Sequence, residues 1–229
     1  MINPDLEKLR GKLIVSCHAP ASSPLDNPFI ISALALTAEQ NGAAGVRINT
    51  PDHIAATKAR VNVPIIGMEK SVTDGSDVYI TPTFAAARRV SMSGASIIAL
   101  DGTQRQRPDG EKLDHLIRRI QTELRKPVMA DISTYDEGLY AADCGVEIIA
   151  TTLCGHTAES RGAPAPALNL LERLAMRLSQ PVICAGGVVS PDQVRRAFDC
   201  GAFAVVIGAA ITGVDWLTQQ FAAASAQNG

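Results

Sequence analysis

Short runs of apolar residues recur along the chain, and longer stretches with apolar positions at helical spacing separate them. A Gly-Ala or similar dipeptide followed by an apolar run occurs four times, about 50 residues apart. The four copies are NGAAGVRI, SGASIIAL, CGVEIIAT and CGAFAVVIG. A second series interleaves with the first, as GKLIVSC, VNVPIIGM, RKPVMAD and SQPVICAG. We therefore predict eight buried strands, over residues 12–17, 45–49, 64–68, 97–101, 127–131, 147–151, 181–185 and 203–207.

Amphipathic stretches such as KLDHLIRRIQTEL and SPDQVRRAFDC lie between most of these strands, with Ser or Asp where a helix N-cap belongs. Alternation of buried strands with covering helices is typical of a parallel α/β sheet. Two strand-helix units in each repeat favour a closed (β/α)₈ TIM barrel over the alternative, an open doubly wound sheet. The chain has 229 residues, so we expect one barrel domain spanning 1–229.

The composition is that of an ordinary globular protein, with 46% hydrophobic residues, 19% charged residues and a net charge of −2. It carries no basic surplus for nucleic acid, so we expect a small-molecule partner. The start, MINPDLEKLRGK, lacks a secretory pattern, and no apolar run approaches the ~20 residues of a membrane span. We predict a cytoplasmic protein without membrane attachment. Its five scattered cysteines suit free thiols better than disulfides or structural zinc.

Polar side chains stand near the C-terminal ends of the predicted strands, where barrel enzymes hold their catalytic groups. These residues are Ser16, His18, Arg47, Asn49, Glu69, Lys70, Asp101, Thr103, Asp131, Thr151 and Thr152. Burying so many polar strand ends without a partner or ligand would be costly. The sequence therefore predicts a binding site at this end of the barrel, which we call the mouth.

Glycines follow the last two predicted strands. Gly186 and Gly187 come after strand seven, and Gly208 and Ala209 come after strand eight, at the start of a short helix-forming run. Glycine lets backbone N–H groups approach a ligand closely, and a helix N-terminus favours an anion. We predict a phosphate site there; the alternative is that the glycines only permit tight turns.

Several mouth residues have both a catalytic and a structural interpretation. Lys70 is either a solvated surface charge or a base or Schiff-base former. Asp101 and Asp131 either contact substrate or cap local turns and helices, and Arg47 can pair with either carboxylate. His18 is either a substrate contact or a structural histidine. No metal-ligand spacing links the histidines, so no metal is predicted.

Six segments taken together resemble the N-acetylmannosamine-6-phosphate 2-epimerase family, in order and over nearly the whole chain. They are LIVSCHAPASSPLDNP, AEQNGAAGVRIN, VPIIGMEK, ASIIALDGTQRQRP, MADISTYDEGLYAADCGVEIIATTLCGHT and VICAGGVVSPDQV. The specific signal is the series SC-x-x-x-x-x-SPL, VRI, IIGxxK, DGTxRxRP, D-x-ST and TTLxGxT. The glycine motifs alone are shared by many phosphate-binding barrels.

The resemblance implies a ribulose-phosphate-binding-type barrel, usually a homodimer without metal or organic cofactor. It implies interconversion of N-acetylmannosamine 6-phosphate and N-acetylglucosamine 6-phosphate in bacterial sialic acid breakdown. The family's proton-transferring lysine maps to Lys70 and its mouth carboxylate to Asp131, and we predict both as catalytic. Predicted substrate contacts are His18, Arg47, Asp101 and Thr152, and predicted phosphate contacts are Gly186, Gly187, Gly208 and Ala209.

Three positions depart from the family pattern. The family normally has a glutamate as second acid/base before the strand-seven glycine, where this chain has Ala185. It also tends to have arginines where this chain has Ser71 and Gly213. Removing a general acid/base typically costs 10²–10⁴-fold in rate.

Three interpretations follow from these departures. Glu69, His18 or Asp131 replaces the glutamate, although strand alternation disfavours Glu69. Alternatively, the enzyme uses Lys70 on another sugar phosphate, including lyase chemistry through a Schiff base. The third is a sugar-phosphate binder without catalysis. A flavin-binding barrel is a further alternative, because GG followed by GAFAVVIG also occurs in flavin enzymes.

Overall fold

The computed structural model describes residues 3–226 and contains one closed barrel of parallel strands in the order β1-β2-β3-β4-β5-β6-β7-β8, with β8 paired to β1. The strands are β1 (Lys12–Cys17), β2 (Gly45–Asn49), β3 (Ile65–Met68), β4 (Ile97–Asp101), β5 (Val128–Asp131), β6 (Ile148–Ala150), β7 (Val182–Ala185) and β8 (Ala204–Ile207). The predicted (β/α)₈ fold and all eight strands are therefore confirmed, and the open-sheet alternative is wrong.

Helices connect and cover the strands. They are α1 (Pro4–Glu7), α2 (Pro28–Gln40), α3 (Pro51–Lys58), α4 (Phe84–Met92), α5 (Leu113–Arg119), α6 (Tyr135–Asp143), α7 (Leu168–Arg177), α8 (Pro191–Asp199), α9 (Ala209–Thr212) and α10 (Val214–Ala226). A π-helical turn continues α5 over Ile120–Leu124, and short 3₁₀ turns occupy Thr151–Leu153 and Ala158–Ser160 after β6.

The strand starts differ slightly from the prediction at three prolines. These three strands begin one residue later than predicted, directly after Pro64, Pro127 and Pro181. A proline has no N–H to donate to the hydrogen-bond ladder of a strand. Their carbonyls still accept hydrogen bonds from Val46, Ile98 and Ile149 of the neighbouring strands. Each proline thus lies immediately before the N-terminal end of its strand.

Local polar groups set the helix starts. The Thr134 hydroxyl accepts from the Glu137 N–H, and the Glu137 carboxylate accepts from the Thr134 N–H, which forms a capping box at α6. The side chains of Asn27 and Ser190 cap α2 and α8 in the same position. These caps begin each helix shortly after a strand and keep the strand ends facing the mouth.

Alternation along each strand divides the apolar residues between two cores. One set, including Ile14, Ile66, Ile97 and Met129, points into the barrel, and a larger set packs between barrel and helices. The same alternation turns the last inward position of each strand toward the mouth. Within residues 3–226, no helix combines the length and apolarity needed to cross a membrane.

Candidate active site

A cavity of about 630 Å³ opens at the mouth of the barrel, and we call it the mouth cavity. Residues predicted for the site that line it are Ser16, His18, Arg47, Lys70, Thr152, Gly186, Gly187, Gly208 and Ala209. A depression of about 410 Å³ lies at the opposite end, beside Arg10, Pro181 and Phe203. It contains no predicted site residue. The chemistry-bearing side chains therefore collect at the C-terminal ends of the strands.

Lys70 reaches the mouth cavity from the segment just after β3. The backbone N–H of Lys70 donates to Asn49 Oδ1 at 2.9 Å. The backbone of Lys70 also pairs with Ile80 in a short antiparallel hairpin. The residue is solvent-exposed because the cavity is open, yet enough protein surrounds its ammonium group to desolvate it. Desolvation first, and then the Arg47 charge, lower the pKa of Lys70, while Asp131 opposes them. A lowered pKa gives Lys70 a larger neutral fraction.

Arg47 is buried at the floor of the cavity. Its Nη2 donates to Asp131 Oδ2 at 2.6 Å and contacts Met68 Sδ at 3.2 Å, and its Nη1 donates to Thr152 Oγ1 at 3.3 Å. The remaining donor, Nε, is buried without a partner among the described residues. An unpaired buried donor is costly, and this nitrogen has almost no surface exposed to the cavity.

Asp131 lies behind Arg47 rather than at the cavity surface. Its side chain is fully buried, Oδ2 accepts from Arg47 and Oδ1 accepts from Thr152 at 2.5 Å. Burial raises the pKa of Asp131 above its ordinary value, while Arg47 and the Thr152 hydroxyl act against the rise. That Asp131 is a catalytic group stays a prediction. Its carboxylate holds Arg47 and Thr152 in place and has no free oxygen facing the cavity.

Asp101 lies outside the cavity lining, and its role as a substrate contact stays a prediction. Its Oδ1 accepts from the N–H and hydroxyl of Thr103, and its Oδ2 accepts from Arg105 at 2.7 Å. The side chain is fully buried and does not line the cavity. The alternative interpretation, a carboxylate that caps a local turn, describes this geometry. Of the two carboxylates, Arg47 pairs with Asp131.

His18 lines the cavity from the segment after β1. Its Nδ1 lies 3.1 Å from Ser16 Oγ, and Nε2 makes no hydrogen bond with the described residues. Burial first, and then the positive charges of Lys70 and Arg47, lower the pKa of His18 from 6.5 to about 4. The imidazole is therefore neutral near pH 7.

The two predicted phosphate segments form neighbouring loops, Gly186–Val188 and Gly208–Ala209, which we call the glycine loops. Gly186 and Gly187 have φ values of +94° and +70°, which favour glycine. A Cβ on Gly187 would also lie 2.3 Å from Ala165 Cβ. The N–H groups of Gly186, Gly187, Val188 and Gly208 donate to no acceptor within residues 3–226. The glycines thus permit the turns and also leave amide donors free, although α9 has only four residues and adds little helix dipole.

The structure gives the surroundings of two positions that depart from the family pattern, Ala185 and Gly213, and of Glu69. Ala185 is buried on the inner face of β7, and its N–H and C=O both bond to Thr151 Oγ1. Gly213 lies in a tight turn, where a Cβ would lie 2.7 Å from the backbone of Ala209. Glu69 forms a two-pronged ion pair with Arg89 on α4, at 2.6 and 2.9 Å. The prediction that strand alternation turns Glu69 away from the cavity is confirmed.

Among the lining residues that the sequence did not identify as site residues, four have an aromatic, thiol or imidazole side chain: Tyr79, Cys154, His156 and Trp216. Cys154 and His156 occupy the two variable positions of TTLxGxT, which was a usable signal. Tyr79 and Trp216 come from the hairpin after β3 and from α10, and no strand-end pattern marks either. Among the described residues, no group of three His, Cys, Asp or Glu side chains is arranged to hold a metal ion.

Comparison with known proteins identifies relatives over nearly the whole chain. The family model "NanE: Putative N-acetylmannosamine-6-phosphate epimerase" matches residues 31–227. A protein from Synechococcus elongatus named "Putative N-acetylmannosamine-6-phosphate 2-epimerase" is 48% identical over 221 residues, covering 96% of this chain and 95% of the relative. A protein of the same name from Cutibacterium acnes is 42% identical, with 94% of each chain covered.

Solved structures give the same relationship. The N-acetylmannosamine-6-phosphate 2-epimerase from Clostridium perfringens superposes with a TM-score of 0.92 at 37% identity, covering 96% of both chains. Thiamine phosphate pyrophosphorylase from Pyrococcus furiosus superposes with a TM-score of 0.60 at 14% identity, covering 91% of this chain and 90% of the other. At that identity the second likeness shows a shared fold only.

Proposed function

The chain belongs to the N-acetylmannosamine-6-phosphate epimerase family, and we propose that it interconverts N-acetylmannosamine 6-phosphate and N-acetylglucosamine 6-phosphate. The observation that carries the proposal is a single cavity lined by Lys70, Arg47 and both glycine loops. A proton-transfer group, an oxyanion donor and free amides for a phosphate thus face one substrate-sized space. The route in which this reaction serves, amino sugar breakdown from sialic acid, is part of the same proposal.

The chemistry of the reaction explains the need for a lysine. In the open-chain sugar, the C2 proton lies next to the C1 aldehyde, so its removal gives an enolate-like intermediate. Reprotonation from the opposite face then inverts C2. Lys70 exchanges the C2 proton on one face, and its lowered pKa supports this role because its neutral form is more accessible than that of an ordinary lysine.

Arg47 stabilises the negative charge that develops on the C1 oxygen. Its guanidinium lines the cavity and is held in place by hydrogen bonds to Asp131 and Thr152. A donor that is fixed before the reaction begins stabilises developing charge without reorganisation. This arrangement supports a role for Asp131 as a positioning residue.

The glycine loops bind the 6-phosphate through backbone amides. Four N–H groups that have no acceptor among the described residues are available to bind an anion. The positive φ values of Gly186 and Gly187, and their lack of side chains, let a phosphate approach the backbone closely. In this proposal the loops fix one end of the sugar, so that C1 and C2 lie above Arg47 and beside Lys70. Binding energy from the phosphate is then used to orient the reacting carbon.

The other functions considered from the sequence receive less support. A Schiff-base lyase and a non-catalytic sensor were motivated by the loss of the glutamate at position 185, and a flavin barrel by the glycine loops alone. The three relatives described above that cover 94–96% of the chain carry an epimerase name. Of the functions considered, epimerisation is therefore the one that matches the reaction named for these relatives.

We expect a homodimer in the cytoplasm, and the exposed apolar side chains Val214 and Phe221 on α10 are consistent with burial in an assembly. Light scattering of the purified protein across a concentration series tests the assembly. A mass of one chain of 24.1 kDa at all concentrations would contradict it.

The test of function is proton exchange with solvent. We expect the protein to convert N-acetylmannosamine 6-phosphate in D₂O to N-acetylglucosamine 6-phosphate that carries deuterium at C2, as measured by NMR. The Lys70→Met variant should lose conversion by about 10²–10⁴-fold. Lys58→Met on the outside of the barrel is the control, because Lys58 does not line the cavity. Absence of conversion and of C2 exchange by the unmodified protein would exclude the proposed reaction.

A further inference from the structure

The ammonium group of Lys70 stands at the end of a long side chain, so its place in the mouth cavity depends on the backbone that carries it. Lys70 lies two residues beyond Met68, the last residue of β3. The pairs between β3 and β4 end earlier still, at Gly67 and Ile98. A lysine stem is flexible, and an unrestrained backbone would add to that freedom. Contacts other than the strand ladder must therefore hold the backbone around Lys70.

The returning arm of the hairpin after β3 supplies these contacts. Its residues 79–81 lie between the ends of β3 and β4. On the β3 side, the Thr81 N–H donates to the Glu69 carbonyl at 2.8 Å. On the β4 side, the Ile80 carbonyl accepts from the Asp101 N–H at 2.9 Å. The arm thus bonds to both strands just above the point where their own pairing stops.

The side chain of Thr81 adds a second connection between the two strands. Its Oγ1 accepts from the Glu69 N–H at 3.1 Å and donates to the Ala99 carbonyl of β4 at 2.6 Å. Thr81 is 0% exposed and does not line the mouth cavity. The hydroxyl therefore acts on the protein itself, and both sides of the Glu69 backbone, its N–H and its C=O, are bonded to one residue.

The backbone conformation of Thr81 indicates that this side chain is needed. Thr81 has a φ of +42°, in the left-handed region that favours glycine and disfavours β-branched residues. Such strain persists only where the surroundings enforce it, and it is concentrated at functional sites. Glycine would fit the backbone better but would lack the hydroxyl. The bridge from Glu69 to Ala99 is the feature that only the threonine side chain provides.

We propose that Thr81 is a positioning residue for Lys70, an inference that rests on the proposed function. Its hydroxyl fixes the Glu69 peptide, and that peptide sets the direction in which Lys70 leaves the backbone. The Lys70 N–H then bonds to Asn49 Oδ1 on β2, the strand that also carries Arg47. The proton-transferring side chain thus starts from a fixed point relative to the guanidinium. A misplacement of about 1 Å can lower a rate about 10²-fold, so this hold controls proton transfer at C2.

Removal of the hydroxyl alone should leave the fold intact. Thr81→Val keeps the size and branching of the side chain, and both backbone bonds of the returning arm remain possible. The two-pronged ion pair between Glu69 and Arg89 also remains. The variant leaves the Glu69 N–H and the Ala99 carbonyl without their shared partner. We therefore expect a folded protein in which the peptide before Lys70 is less restricted.

The experiment measures kcat and KM for conversion of N-acetylmannosamine 6-phosphate by the folded variants. We expect Thr81→Val to lower kcat by about 10–10²-fold. Its KM should stay within about threefold, because the glycine loops that bind the phosphate follow β7 and β8, across the ring from β3. Thr81→Ser retains the hydroxyl and should keep kcat within about threefold of the unmodified value.

Thr57→Val is the matched control. Thr57 is also 0% exposed, lies on α3 outside the cavity, and has a hydroxyl with no hydrogen-bond partner among the described residues. The same chemical change there removes a buried hydroxyl without releasing a partner. Its kcat should stay within about twofold of the unmodified value.

The pH dependence of kcat separates positioning from a loss of stability. Lys70 must be neutral to take the C2 proton, so kcat rises as the pH passes through the pKa of Lys70. Desolvation and the Arg47 charge lower that pKa, while Asp131 opposes them. A Lys70 that leaves this place titrates at higher pH. We expect the rising limb of kcat to move to higher pH in Thr81→Val and to stay in place in Thr57→Val.

A kcat of Thr81→Val within about twofold of the unmodified value would overturn the proposal. So would an unmoved rising limb, or an equal loss of kcat in Thr81→Ser or Thr57→Val. If Thr81→Val does not fold, Thr81→Gly takes its place and is judged by the same outcomes, because glycine adopts this φ without strain and lacks the hydroxyl. Failure of the unmodified protein to convert either epimer would instead remove the proposed function.

Discussion

Arg47 Nη2 and Asp131 Oδ2 lie 2.6 Å apart and join β2 to β5 across the interior of the barrel. Arg47 is 4% exposed and Asp131 is 0% exposed, so neither charge is solvated by bulk water. Breaking a buried ion pair leaves an uncompensated charge and is strongly destabilising. The pair therefore fixes the floor of the mouth cavity and links stability of the barrel to the orientation of Arg47.

The Asp131→Asn variant tests this link. It keeps the shape of the side chain but removes its charge, so we expect the free energy of unfolding to fall by about 3–5 kcal/mol and kcat/KM to fall as Arg47 loses its orientation. Urea unfolding and steady-state kinetics measure the two effects. The control is Asp192→Asn, since Asp192 and its partner Arg195 are 86% and 71% exposed and that change should cost less than about 1 kcal/mol. Equal effects of the two changes would contradict the assigned role of the buried pair.

The Gly187→Ala variant tests the phosphate site. A Cβ there would strike Ala165 and occupy a strained φ, so the loop must shift and its amides move from the anion. We expect KM for the sugar phosphate to rise at least about tenfold, equivalent to about 1.4 kcal/mol. Gly110→Ala is matched to it, because Gly110 has a φ of +72°, no atom within 4 Å of the added Cβ, and a position outside the cavity. An equal change in KM for both variants would count against a specific role for Gly187.

The lowered pKa of His18 predicts how stability depends on pH. The group has a pKa of about 4 in the folded protein and 6.5 when unperturbed. Below pH 6.5 the unfolded chain binds the proton more readily, so this group lowers the free energy of unfolding as pH falls from 6.5 toward about 4 and contributes nothing above that window. Unfolding by urea at pH 5 and pH 7.5 measures the difference. We expect a smaller difference in His18→Gln than in the unmodified protein or in His156→Gln, and an unchanged difference would refute the prediction.

The Ala185→Glu change tests whether position 185 still has the geometry of the family's glutamate. Ala185 faces the inside of the barrel at the mouth, so a glutamate there would extend into the cavity from the wall at β7. We expect the Ala185→Glu variant to convert at least about tenfold faster than the unmodified protein, because a general acid/base is restored. Ala210→Glu is the control, since it adds a carboxylate to the lining from α9. No gain in rate, or an equal gain in both variants, would mean that position 185 no longer has the required geometry.

Most of the fold followed from the amino-acid pattern. Eight apolar runs separated by amphipathic stretches required parallel strands covered by helices, and alternation within a strand correctly separated outward Glu69 from inward Met68. Proline placed the entrances of three strands to within one residue. Local rules suffice for these features because strand period, proline geometry and helix caps depend on neighbouring residues.

The site was predicted less completely. Strand ends identified Lys70, Arg47, His18 and the glycine loops as cavity residues, but they did not distinguish Asp131 from Asp101. Both carboxylates end inward-facing strand positions and are fully buried, yet one holds Arg47 and the other holds a turn through Thr103 and Arg105. Tyr79 and Trp216 reach the cavity from segments outside the strand-end pattern.

The sequence by itself determined the closed barrel, the end at which its polar groups collect, and the glycine positions that leave amides free. Only the tertiary structure decided that Arg47 pairs with Asp131, 84 residues away, and that His18 keeps a free ring nitrogen beside Arg47. The reason is that these contacts depend on the stagger of strands around the ring and on how far side chains reach across its interior. Such distances arise only when the barrel closes.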